Sequence, residues 1–177
     1  ETDKQEVQCS YGGWKQNQGL ANAAIGINNH QRGGANAVIG VGNFNEGYGN
    51  AAIGYKNHND GFLNAAVGAK NKLSGLGNAA IGTRMSTRGM HKLPLELEKT
   101  EGALQAAIGY NNQNEGYVNA AVGANNRQKG IGNAVIGFNN DNNGYVNAAI
   151  GANNRQRGIG NAVIGIGNLK HIIYFMN

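Results

Sequence analysis

The chain has little cysteine, proline, serine or threonine: one Cys, one Pro, three Ser and four Thr among 177 residues. One Cys excludes an intrachain disulfide framework. With one Pro, and with glycines that do not recur every third residue, the chain is not collagen. No apolar run approaches ~18 residues, so no segment is expected to span a bilayer as a helix. No basic, apolar leader opens the chain at Glu1, so the sequence is expected to be either a mature form or an excised piece. Only 14% of residues are charged, yet 40% are hydrophobic, which is too many for a polar linker. What fills the gap is Gly and Asn, 30 of each, and an ordinary enzyme domain is not composed in this way.

Such bias points to an internal repeat. The pentad Asn-Ala-(Ala/Val)-(Ile/Val)-Gly begins at Asn22, Asn36, Asn50, Asn64 and Asn78. It returns with Gln at Gln105 and continues at Asn119, Asn133, Asn147 and Asn161. Within each block the spacing is 14 residues. With the pentad as positions 1 to 5, a second Gly recurs at position 12 (Gly33, Gly47, Gly61 and onward to Gly158). A second Asn recurs at position 8, at Asn29, Asn43, Asn57, Asn71, Asn112, Asn126, Asn140, Asn154 and Asn168.

Helical repeats need longer units, and 14 residues suit one coil of a narrow solenoid. The predicted fold is all-β, a parallel β-solenoid or β-roll of about twelve coils, each hydrogen-bonded to the next at about 4.8 Å. Residues 1–7 are an N-terminal extension or cap, 8–174 the solenoid and 175–177 a tail. Between Gly89 and Gln105 the register slips. Residues 92–104, with the single proline Pro94 and the charges Glu96, Glu98, Lys99 and Glu101, read as a degenerate coil bulging to solvent.

Side chains alternate along a strand, so the largest apolar column is expected to face inward. That column is position 4: Ile25, Ile39, Ile53, Val67, Ile81, Ile108, Val122, Ile136, Ile150 and Ile164. Burying each gains about 1.5–3 kcal/mol. Position 13 (Tyr48, Phe62, Leu76, Met90, Tyr117, Ile131, Tyr145, Ile159) is expected as a second apolar column. The Gly columns are expected to bound the strands at turns with φ > 0. The Asn column at position 8 is expected to form a ladder from coil to coil.

With Ile inside, position 3 faces out. Ala24, Val38, Ala52, Ala66, Ala80, Ala107, Ala121, Val135, Ala149 and Val163 then form a flat strip, a candidate lateral interface. The alternative is that position 3 is itself a buried column in a flattened coil. The last residues are rich in β-formers rather than polar. Ile172, Ile173, Tyr174 and Phe175 are a candidate end-to-end interface by strand addition, or else plug the last coil.

No catalytic or metal-binding constellation is visible, and no cofactor is expected. His30, His58, His91 and His171 do not cluster, Cys9 has no partner for a zinc site, and the Asp-bearing calcium repeat is missing. Cys9 could cross-link chains or be an incidental thiol. The net charge of +5 permits attraction to an anionic polysaccharide, membrane or nucleic acid. Arg32 with Glu46, and Glu115 with Lys129, are expected as surface pairs on adjacent coils. Arg127, Lys129, Arg155 and Arg157 form a basic group, but aromatics are sparse there, so no nucleic acid is expected as partner.

The columns resemble the 14-residue head repeat of trimeric autotransporter adhesins, the YadA-like head. In that repeat a Gly follows the Ser/Asn-Val/Ala-Ala-Ile-Gly pentad by seven residues. Asn133-Ala134-Val135-Ile136-Gly137 with Gly144 matches this pattern. The resemblance implies a left-handed β-roll, trimeric packing and a surface-exposed adhesive role. The family favours Ala at positions 8 and 10, where this chain has Asn, and Asn or Gln. Three functions are therefore expected, none enzymatic. The first is a secreted or cell-surface structural protein that assembles with itself, as an oligomer or a matrix fibre. The second is a trimeric adhesin head binding host matrix or polysaccharide. The third is an ice-binding protein, for which four Thr supply no threonine array.

Overall fold

The computed structural model describes residues 9–13, 15–88 and 104–172. The fold is all-β: two parallel sheets of eleven strands each, with alternate strands of the chain going to alternate sheets. Each strand pairs with the one a full coil later in the chain, as Ala37 with Ala51 and Ala51 with Ala65. The result is the expected parallel β-solenoid. Sheet A takes positions 2–6, as in Ala37–Val41, and sheet B positions 9–13, as in Phe44–Tyr48. The coil is thus two near-equivalent halves of seven residues.

Two-residue corners at positions 7–8 and 14–1 join the halves. The first residue of each corner is left-handed, as at Asn28 (φ 54°), Asn125 (φ 57°) and Gly42 (φ 66°). Asn and Gly tolerate that region and dominate position 7. The glycines of positions 5 and 12 do not bound the strands, as the sequence suggested, but lie inside them with φ between 108° and 137°. A Cβ at Gly47 would stand 1.9 Å from the carbonyl oxygen of Gly61 in the next coil. Close backbone stacking therefore requires glycine there as much as φ does.

The interior corrects the expected side-chain order. Positions 1, 3, 8 and 10 point inward. The candidate lateral strip, Ala24, Val38, Ala52, Ala66, Ala80, Ala107, Ala121, Val135, Ala149 and Val163, is buried core. The expected core column is exposed in every coil: Ile25, Ile39, Ile53, Val67, Ile81, Ile108, Val122, Ile136, Ile150 and Ile164. Position 13 is not a buried column either, with Tyr48, Phe62, Ile131, Tyr145 and Ile159 exposed and Met90 outside the described residues.

The reason lies at the corners. Position 1 or 8 must turn its Asn inward to satisfy main-chain groups that no ladder partner reaches. Alternation then carries position 3 in and position 4 out. Asn140 is 1% exposed. Its Oδ1 accepts the N–H of Asn154 at 3.0 Å, and its Nδ2 donates to Asn126 Oδ1 at 3.1 Å and to the Gly151 carbonyl at 2.9 Å. Leaving such buried groups unpaired costs about 1–3 kcal/mol each, which outweighs the half of an isoleucine's burial that is forgone. Opposite the small Ala/Val column, position 10 supplies Gln or Asn in most coils, with Leu73 and Thr87 the buried exceptions; the amide donates across the interior, as from Asn59 Nδ2 to the Ala51 carbonyl at 2.7 Å.

The Asn column at position 8 runs as a ladder from Asn29 to Asn168, with Met85 as one substitute rung. There the Asn112 N–H meets Met85 Sδ at 3.5 Å. A second ladder of the same kind, not singled out from the sequence, occupies position 1 (Asn36 N–H to Asn22 Oδ1, 3.1 Å). Around Met85 the interior is apolar, with Leu73, Ala66, Ala80 and Ala107.

The segment read as a degenerate coil falls almost entirely outside the described residues. Its flanks correct the reading: Ala79 pairs directly with Ala106, and Ser86 with Gln113. The two flanking coils are therefore adjacent layers of the stack, and in the sequence the segment is an insertion after position 11. The described strands therefore form eleven pairs rather than twelve coils. Of the end-to-end candidates, Ile172 closes the strand Leu169–Ile172, whose register sets it beside Gly158. Ile173, Tyr174 and Phe175 lie outside the described residues, as do the proposed cap at 1–7 and the tail at 175–177.

Candidate interaction surface

The two outer faces differ sharply. Sheet A turns out positions 2, 4 and 6. Position 2 is Ala, position 4 Ile or Val, and position 6 includes Ile27, Val41, Tyr55 and Phe138. The position 4 column runs for ten rungs, from Ile25 to Ile164, without a polar interruption. Ile53 is 45% exposed and Ile136 54%, so each side chain is half covered by its neighbours above and below and open outward. No charged residue occurs at these three positions in any described coil after Ala23.

Sheet B turns out positions 9, 11 and 13, which carry charge and aromatic rings. His30, Phe44 and His58 stack at centroid separations of 4.8 and 4.6 Å, with ring planes 5° and 6° from parallel. Tyr48 and Phe62 stack beside them at 5.5 Å. Burial, and then the charge of Lys72, hold the His58 imidazole below its usual range. The expected pairs form: Arg32 with Glu46 at 3.6 Å and Lys129 with Glu115 at 3.9 Å. A third, Arg155 with Asp141 at 3.8 Å, lies at position 9. All three are solvent-exposed and worth under about 1 kcal/mol. Two members of the basic group are thus neutralised, and Arg127 rests against Gln113 Oε1 at 3.3 Å.

His30 and His58 flank Phe44 rather than each other. Among the described residues no three His, Cys, Asp or Glu come together as a metal site. No helix of the described residues is long and apolar enough to cross a membrane. Two shallow depressions line the rim and face of sheet B, of about 350 Å³ (Asn111, Asn125, Asn139 and neighbours) and about 380 Å³ (Arg88, Glu115, Lys129 and neighbours).

The exposed strip is therefore position 4, not position 3. The signal that could have found it is the seven-residue echo within each coil: Asn at 1 and 8, Gly at 5 and 12. Two equivalent corners demand two inward amides, and these fix the parity of both strands. Comparison with protein families, with curated proteins and with solved structures finds no match for this chain.

Proposed function

We propose that this chain is a non-enzymatic structural protein that associates with copies of itself through the outer face of sheet A, working in adhesion or as a matrix component outside the cell. The observation that carries the reading is the uninterrupted ladder of exposed Ile and Val. Ten rungs at about 4.8 Å, on strands some 17 Å across with their side chains, give an area on the order of 800 Å². That is the surface one partner contributes to a standard stable interface, and it exceeds the apolar patch that a monomer ordinarily leaves in water. Repeating one modest contact at every rung gains avidity without any strong single site. The likeness of the pentad to the trimeric adhesin head repeat supports both the association and the extracellular setting.

The test is sedimentation velocity and electron microscopy on the full chain and on a variant carrying Ile53→Asp, Ile108→Asp and Ile136→Asp. The parent chain should associate as concentration rises, while the variant stays monomeric with the same circular dichroism. Discrete trimers would favour an adhesin head and long filaments a fibre. A parent chain that remains monomeric at high concentration overturns the reading, and ice-growth inhibition by that monomer would reassign the face to ice.

A further inference from the structure

The corner at position 7 carries a second surface, independent of association through sheet A. In seven described coils its left-handed residue is Asn or Gly: Asn28, Gly42, Asn111, Asn125, Asn139, Asn153 and Gly167. In three consecutive coils it is a long cation instead, Lys56 (φ 52°), Lys70 (φ 57°) and Arg84 (φ 57°). The substitution runs against the backbone preference of the site. It also runs against electrostatics, since coils stack at about 4.8 Å and the three like charges fall within about one Debye length of one another. All three are exposed, as is Lys72 two positions beyond Lys70. None takes part in the ion pairs found among the described residues.

The corner backbone is fixed as in the other coils, and two of the three cations are also positioned by neighbouring rings. The backbone N–H of each donates to a carbonyl of the preceding coil at 2.8–2.9 Å: Lys56 to Val41, Lys70 to Tyr55, Arg84 to Ala69. The Lys56 ammonium lies over the Tyr55 ring at 5.0 Å from its centroid. Arg84 lies over the Tyr110 ring at 5.9 Å, and its Nη1 donates to the Tyr110 hydroxyl at 2.9 Å. Lys56 lowers the pKa of the Tyr55 hydroxyl, chiefly by hydrogen bonding. A row of like charges that opposes both local backbone and local Coulomb preference calls for an external counter-charge of matching shape.

We propose that Lys56, Lys70 and Arg84, widened by Lys72, form a ridge that binds a linear anionic polysaccharide along the solenoid axis. The row offers one cation per rung, a wider spacing than the ~3.4 Å of duplex axis per phosphate of each DNA strand. Each of the two tyrosine rings beside it already has a cation over one face, which competes with a base for stacking there. Both points favour a chain whose charges are spaced along sugars.

The experiment compares three full-length proteins on immobilised heparin, used as a sulfated polysaccharide probe, across a salt series. They are the parent, Lys56→Asn/Lys70→Asn/Arg84→Asn, and Arg127→Gln/Lys129→Gln/Arg157→Gln. Asn is the residue that the corner takes in other coils, so the first variant should fold as the parent does, and circular dichroism checks this. It should lose at least tenfold in affinity and much of the salt dependence. The second, with the same change in net charge, should lose no more than about threefold. Equal losses in both variants would mean net charge alone and overturn the ridge. So would absence of binding by the parent, or preferential binding of single-stranded DNA or of phosphatidylserine vesicles over heparin.

Discussion

The amide oxygen of Asn126 accepts the backbone N–H of Asn140 at 3.1 Å, and the Asn140 amide returns a bond to the same oxygen at 3.1 Å. One side chain thus joins two coils at a corner where the sheet ladder has ended. Asn140→Ala removes the acceptor of the Asn154 N–H and the donor to the Gly151 carbonyl together. It should cost about 2–4 kcal/mol in urea denaturation. Asn139→Ala, one residue earlier, gives up only an exposed bond to Asn153 and an easy left-handed turn. It should cost about 1 kcal/mol. Equal losses at the two positions would deny the ladder its structural weight.

The glycines make a parallel contrast. An alanine at Gly137 would place Cβ 1.8 Å from the Gly151 carbonyl oxygen at φ 137°, with backbone on both sides of the clash. Neither coil can move without breaking its own pairing, so Gly137→Ala should cost more than about 3 kcal/mol or prevent folding. Gly160 has φ 67° and open space around its Cβ position. Gly160→Ala should cost only about 1 kcal/mol. Thermal unfolding of the two variants beside the parent checks the difference.

The stacking was legible in the sequence because it rests on columns. Asn29 to Asn168 and the paired glycines fix period, direction and register without any three-dimensional knowledge. The parity of the strands was not legible by ranking hydrophobic size, which sends Ile136 inward. In a coil only two short strands deep, the inside is set by Asn133 and Asn140 at the corners, and Val135 follows Asn133 inward. The insertion misled for a related reason. Its length of nearly one period mimics a coil, whereas the direct pairing of Ala79 with Ala106 is a long-range fact that no local pattern states.

His58 gives the fold a pH dependence of defined sign. Burial first, and Lys72 second, lower its folded pKa below the 6.5 of a free histidine, while Asp60 and Glu46 oppose the shift more weakly. The unfolded chain therefore takes up its proton at a higher pH than the folded chain does. This contribution is fully favourable above pH ~6.5. It diminishes as pH falls from there towards the folded value and then levels off. The urea midpoint of the parent should drop relative to that of His58→Gln between about pH 7.5 and about pH 5. A His58 ring proton that titrates in NMR at or above 6.5 would contradict it.

Excision of residues 89–103 tests the continuity of the stack directly. Every other described coil crosses from position 11 to position 14 in two residues, Gly-Tyr in the case of Gly144-Tyr145. The coil that begins at Asn78 spends fifteen there, yet the strands on either side pair in register, and Gln105 Nε2 still reaches the Arg88 carbonyl at 2.7 Å. Replacing 89–103 by Gly-Tyr therefore removes no strand pairing among the described coils. It shortens the connection between those strands roughly sevenfold, and at about 0.6 kcal/mol per doubling of the length to be closed the chain should gain between about 1 and 2 kcal/mol. Unchanged circular dichroism with a raised urea midpoint is the expected result. Were the segment a coil of the solenoid, its removal would strip two layers of parallel pairing, and the midpoint would fall instead.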